Sequence, residues 1–432
     1  MIVFMSVTAC NNNVEYKTID VSMDSYYADE TLLNQLSKEG YVDYRISRYF
    51  ACAELTETVS DFGWSNISIS KRPIIIYNSI TDEPKYYEFR VLENGKEVGA
   101  ISCVANELDG SPVKYILPFA NEVKDESVSR SIIRGGHFID SGYPSKLSVK
   151  VNTSRAVSVE TGYEISELET DVSEREFLEN ISQEMLEDLG LTSQEKIDEY
   201  LSSLDEVDDQ LNNLWEEIEN NVDLILEQDC DEILSEISSE KYRAAICQST
   251  SEKILLDWDA VKNWYYPGGY CGPNCVGFIL LGLGTASGFY NVPLQNSRFS
   301  LTDFYQKIEN GIGKGPKLFC NLRSYMSENS DYTLKTDFGH LWNTIIGNID
   351  EGKPSISLRS SKSITDLSWH YRVIYGYKIN HMSENKKFLW WSWTKYYDNC
   401  FYIMHDNGSD GKNFYEARIT GNHIGSAHVE KK

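Results

Sequence analysis

Nine cysteines and seven histidines are the groups in this chain best suited to act as a nucleophile and its base. One cysteine sits where it would be activated. Cys271 lies within Trp264-Tyr-Tyr-Pro-Gly-Gly-Tyr-Cys-Gly-Pro-Asn-Cys-Val-Gly-Phe-Ile-Leu-Leu-Gly-Leu283, where a glycine-rich loop leads into Cys271-Gly272-Pro273 and then an apolar run long enough for a buried helix. Proline suits the first turn of a helix, where its missing N–H costs nothing. The pattern predicts Cys271 at or just before a helix N-terminus. There the macrodipole and the open N–H groups stabilise a thiolate and lower the thiol's pKa. The same amides can hold an oxyanion. Cys275, one turn further in, reads as packing, and a single pair spaced this way is a poor zinc signal. Neither a metal nor a cofactor is expected.

A thiolate nucleophile needs a base. His137 and His340 sit in polar contexts near glycine, and His381, His423 and His428 fall in loops or near the terminus. His370 instead opens the strand-like run Trp369-His-Tyr-Arg-Val-Ile-Tyr-Gly-Tyr377. Ahead of it, Asn348 to Leu358 reads as a helix end, a Gly352-Lys353-Pro354 turn and a strand. A later strand, beginning at Phe401, ends in His405-Asp406-Asn407. Asp406 or Asn407 could accept a hydrogen bond from the His370 ring and fix its tautomer. His405 is the alternative base.

Together these segments resemble the papain-like cysteine peptidases of bacteria, particularly the bacteriocin-processing and streptopain types. The resemblance is carried by Cys271-Gly272-Pro273, by Ile349-Asp350-Glu351-Gly352-Lys353-Pro354 before a strand, by His370 with Gly376-Tyr377 after it, and by Asp406-Asn407. It covers roughly residues 250–415. It implies a helical half bearing Cys271 packed on an antiparallel β half bearing His370, with peptide or protein substrates bound between them. Papain-like enzymes also carry a glutamine about six residues before the nucleophile, whose amide completes the oxyanion hole. Here Tyr265 stands at that position, so Asn263 and the indole N–H of Trp264 are the candidate substitutes. Losing one such donor costs roughly 10²–10³ in rate.

The elements that must position these residues follow from periodicity. The fold class expected is α+β. Residues 11–165 read as an N-terminal α+β domain: a polar leader, helical spacing around Leu32–Leu36 and Tyr49–Leu55, then β-rich runs. Pro73–Tyr77, Tyr86–Val91, Val98–Ser102, Val113–Leu117, Leu147–Val151 and Ala156–Val159 are the expected strands. Asn94-Gly95 marks a hairpin, since both residues tolerate positive φ. This sheet bears a weaker resemblance to the propeptide of streptopain-type enzymes, which implies a domain that blocks the site until cleaved. Residues 166–245 form an acidic segment with apolar positions three or four apart from Ile197 to Ile225, an amphipathic helix seam. Gly190 ends a shorter helix before it, and Thr192 with Glu195 predicts a capping box at its start. This segment reads as a helical linker or hairpin on a neighbouring domain, or as a removable inhibitory piece. Residues 246–432 form the domain bearing the candidate site.

The formal charge of −26 argues against a nucleic-acid partner, because phosphate binding requires a basic face. The nine cysteines are unevenly scattered and do not make a disulfide scaffold. Residues 1–10 are short and apolar, ending Val7-Thr8-Ala9-Cys10 before Asn11-Asn12-Asn13. This resembles the lipobox of a bacterial lipoprotein, without a basic segment ahead of it. It implies a secreted protein lipidated at Cys10, held on the outer membrane or cell surface with no other membrane contact. The functional expectation is a cell-surface cysteine peptidase. The alternatives are a peptidoglycan amidase or acyltransferase of the same fold, and a non-catalytic binding protein.

Overall fold

The structure is a computed structural model and describes residues 26–59, 62–119, 132, 136–141, 147–159, 162–165, 168–170, 172–236, 247–255, 270–283, 301–314, 317–337, 342–363, 367–388, 391–406, 412–417 and 423–432. It is mixed α+β, built on one large and mostly antiparallel sheet.

The chain enters through α1 (Glu30–Lys38) and α2 (Tyr44–Thr58). Asp29 and Asp43 cap them, their carboxylates accepting the Leu32 and Arg45 amides at 2.9 Å each, because the first turn of a helix lacks internal acceptors. Next come β1 (Ile67–Ile69), β2 (Ile74–Asn78), β3 (Pro84–Glu93), β4 (Lys96–Val104) and β5 (Val113–Leu117). β6 (His137–Asp140), β7 (Leu147–Asn152), β8 (Arg155–Ser158) and β9 (Glu164–Ile165) complete the N-terminal strands. The β3–β4 turn is Asn94-Gly95, with φ of 51° and 80°, as a tight hairpin requires. β2 and β6 pair in parallel, a long-range match without a local signal, and β1, β6 and β9 are strands the sequence reading did not include.

The acidic segment contains β10 (Glu169–Thr170), α3 (Glu174–Asn180), α4 (Gln183–Asp188), α5 (Gln194–Glu219), α6 (Val222–Leu226) and α7 (Cys230–Glu236). Gly190, at φ 80°, closes α4 as expected. The predicted Thr192 cap is displaced by one residue: Ser193 caps α5 by accepting the Lys196 amide. The Leu191 amide bonds back to Leu186 and its side chain is buried, so Thr192 is spent in the link and Ser193 becomes the first residue with cap geometry. The helical seam buries Tyr200, Leu204, Trp215 and Ile218, and the Trp215 indole donates to the Gly110 carbonyl at 2.9 Å. That bond ties α5 to the turn before β5.

The C-terminal part holds β11 (Cys247–Ile254), α8 (Cys271–Gly282), α9 (Leu301–Ile312), α10 (Phe319–Asn329), β12 (Tyr332–Asp337) and α11 (Trp342–Asp350). β13 (Ser355–Ser363), β14 (Leu367–Phe388), β15 (Trp391–Asp406), β16 (Lys412–Ala417) and β17 (His423–Lys431) follow. β16, β15, β14, β13, β17 and β12 are consecutive neighbours. β16 also pairs with β5, through Tyr415 with Ile116 and Glu416 with Tyr115. The N-terminal and C-terminal sheets are therefore one hydrogen-bonded surface. β10 extends it by pairing with the end of β13.

Among the described residues no helix is long and apolar enough to cross a membrane. Cys10 lies outside the described residues.

Candidate active site

Cys271 is the first residue of α8, following Tyr270 in extended conformation (φ −72°, ψ 144°). Pro273 falls in the first turn, and the Asn274 amide reaches the Tyr270 carbonyl at 3.1 Å. Cys271 is partly exposed while every residue from Gly272 to Leu281 is buried. The helix is thus sunk in the protein, with Cys271 at its partly open N-terminal end. Two glycines allow this depth. A Cβ on Gly272 would lie 3.1 Å from Leu322 of α10, and one on Gly277 would lie 2.3 Å from the Tyr305 ring of α9. On the sheet side, Phe278 stacks on His405 at 3.9 Å with 14° between rings. His405 is wholly buried there, which makes it a packing residue of the helix–sheet contact.

His370 lies on β14, where side chains alternate between faces. It interacts with the Cys271 side chain, whose charge and hydrogen bonding both raise the imidazole pKa. Its Nε2 meets Asp406 Oδ1 at 2.8 Å, which leaves Nδ1 as the ring atom available to the sulfur. The predicted nucleophile, base and one predicted orienting residue are brought together here from positions 271, 370 and 406. Asn407, Asn263 and Trp264 lie outside the described residues. Cys275, as expected, is buried packing.

Electrostatics favour a charged pair. Burial pulls the His370 pKa down, but the charges of Asp406 and Cys271, with their hydrogen bonds, outweigh it and raise the pKa above the ordinary imidazole value. Asp406 is fully buried; burial pushes its pKa up, yet His370 and Arg372 hold it well below the usual carboxylate range. An imidazolium beside a sulfur at a helix N-terminus is the setting in which thiolate is the stable form.

Arg372 was not among the residues singled out from sequence. Its Nε donates to Asp406 Oδ2 at 2.5 Å, and its Nη1 reaches Glu416 Oε2 at 3.4 Å. The signal for it was a lone arginine in the apolar run Tyr371–Tyr375, two residues after His370 and so on the same strand face. Asp188 was missed too. Its carboxylate accepts the Phe319 and Cys320 amides at 2.5 and 2.8 Å, capping α10 from 131 and 132 residues away, a separation that leaves no local trace. Beside it, Tyr371 donates to the Lys317 carbonyl at 2.8 Å, and the Trp369 indole donates to the same oxygen at 3.1 Å. These bonds fix the residues flanking His370 in sequence.

Compared with known protein-family models and with curated protein sequences, the chain matches none.

Proposed function

We propose that this protein is a papain-like cysteine peptidase that hydrolyses peptide bonds in protein or peptide substrates. The observation that carries the reading is the contact of Cys271, at the open end of α8, with a His370 whose other nitrogen bonds Asp406 at 2.8 Å. The Cys271 thiolate adds to the scissile carbonyl carbon, and the carbonyl oxygen takes the negative charge. The N–H groups of Cys271 and Gly272 stand at the helix end, where no intrahelical acceptor exists for them, and can receive that charge. The His370 Nδ1–H then protonates the leaving amine, leaving a thioester on Cys271. His370, now neutral, takes a proton from water as the water attacks the thioester, and the thiolate is released. Asp406 keeps the ring in one tautomer throughout.

The test is irreversible labelling of the full chain at pH 6 with a peptidyl epoxide, the adduct located by mass spectrometry. Modification confined to Cys271 and lost in His370→Ala is expected. No adduct on Cys271, both in the full chain and after limited proteolysis of its N-terminal region, would overturn the peptidase reading and favour a binding protein. Turnover of cell-wall fragments but not of peptides would favour the amidase reading. We further propose that the chain is exported and lipidated at Cys10, on the strength of Val7-Thr8-Ala9-Cys10. Metabolic labelling with a fatty-acid analogue, lost in Cys10→Ala, is the expected result.

A further inference from the structure

Register places a row of chemically active side chains on one face of the sheet across five neighbouring strands. His370 pairs with Arg359 of β13, and Arg372 lies two residues along β14 on the same face. On β15, Asp406 lies four residues from Tyr402, which pairs with Glu416 of β16; Glu416 pairs in turn with Tyr115 of β5. The contacts follow the row. Asp406 Oδ1 meets His370 at 2.8 Å and its Oδ2 accepts from Arg372 at 2.5 Å, so the carboxylate is held at both oxygens. Arg372 is braced by Glu416 at 3.4 Å and lies over the Phe414 ring, 5.3 Å from its centroid. Arg359 donates to the Tyr115 hydroxyl at 2.5 Å, and the Tyr115 ring meets Phe414 edge-on at 5.9 Å. Arg372, Asp406 and Glu416 are all buried, as are Arg359 and Tyr115.

A carboxylate with one bond can rotate about its own axis, whereas one gripped at both oxygens cannot. We propose that Arg372 is a positioning residue that locks the Asp406 carboxylate so that Oδ1 faces His370, and that Glu416 and Tyr115 brace this lock. The inference rests on the peptidase reading of the Cys271–His370 pair. It gives the N-terminal sheet a part in the site: β5 supports it from within the same sheet.

The measurement is the rate of Cys271 alkylation by iodoacetamide, a neutral reagent, in the full chain from pH 4 to 9, with Cys271→Ala as blank and circular dichroism as the check on folding. In the parent, a reactive window is expected that opens well below the ordinary thiol pKa of about 8.5 and changes again when the imidazolium deprotonates. The groups facing Asp406 are His370 and Arg372 from β14; those facing Arg372 are Asp406 from β15, Arg359 from β13, Glu416 from β16 and Tyr115 from β5, and Cys271 of α8 acts on His370. If Arg372 acted only through its charge, Arg372→Met would move the upper limb to higher pH, since a cation near the imidazolium is lost. Positioning predicts the opposite: the carboxylate turns away and the upper limb falls by about one pH unit, a tenfold loss of imidazolium stability. Arg372→Lys, which keeps the charge but not the paired N–H geometry, should not restore it. Glu416→Gln, a milder change that keeps the fold if Arg372→Met does not, and Tyr115→Phe should shift the limb the same way by less. An upper limb unmoved or raised in the arginine and glutamate variants overturns the positioning role. An unmoved limb in Tyr115→Phe alone overturns the part given to β5. A parent that titrates as one ordinary thiol overturns the peptidase reading itself, and the positioning role falls with it.

Discussion

Replacing Asp406 by asparagine keeps the shape of the side chain and removes one charge from a buried cluster. Asparagine can still accept from His370, but it would present an N–H₂ to the Arg372 Nε–H, donor against donor. At separations of 2.8 and 2.5 Å, the contacts carry about 6 and about 7 kcal/mol of gross attraction at an effective dielectric of about 20. Desolvation offsets much of this, and removing one partner from a buried pair costs about 3–5 kcal/mol net. The loss should depend on pH in a way that identifies its source. Asp406 has a folded pKa below its unfolded value, so its contribution is complete above the unfolded pKa of about 3.9 and is lost as pH falls through the folded one. His370 has a raised folded pKa, so its share is complete below the unfolded value of about 6.5 and is lost as pH rises through the folded one. Both shares are complete near pH 5–6, where the gap between parent and Asp406→Asn should peak, narrowing on either side. Urea unfolding followed by tryptophan fluorescence at several pH values measures it. A gap below about 1 kcal/mol, or one constant from pH 3 to 9, would refute the assignment of Asp406 as the counter-ion of both His370 and Arg372.

Two further changes test the supports around the site. In Gly277→Ala the new methyl would lie 2.3 Å from the buried Tyr305 ring, an overpacking that should cost about 1–3 kcal/mol and lower the melting temperature, while Gly347→Ala, with open space around it, should not. Trp215→Ala removes a buried ring and its bond to the Gly110 carbonyl, for an expected loss of about 3–5 kcal/mol. Faster hydrogen exchange confined to α5 and the turn before β5 would locate that loss, and unchanged exchange there would sink the proposed tether.

Local features were legible in the residues that form them. Asn94-Gly95 forces a hairpin because two consecutive positive φ angles suit few other residues, and Gly190 ends α4 for the same reason. Cys271 begins a helix because Gly272-Pro273 and the apolar run after it permit little else, and His370 and Asp406 were legible as residues at the ends of strand-like runs. The cap of α5 was misread by one residue because Thr192 and Ser193 are chemically alike; the burial of Leu191 decided between them. Pairing across distance was not legible, since nothing near Tyr115 specifies that β5 will lie beside β16, where its register partner Glu416 is 301 residues later. That adjacency made one sheet of two apparently separate domains. It also turned Arg372 and Glu416 from isolated charges in apolar strands into the support of Asp406, because only in the assembled sheet do side chains of alternate residues on neighbouring strands share a face within hydrogen-bonding reach.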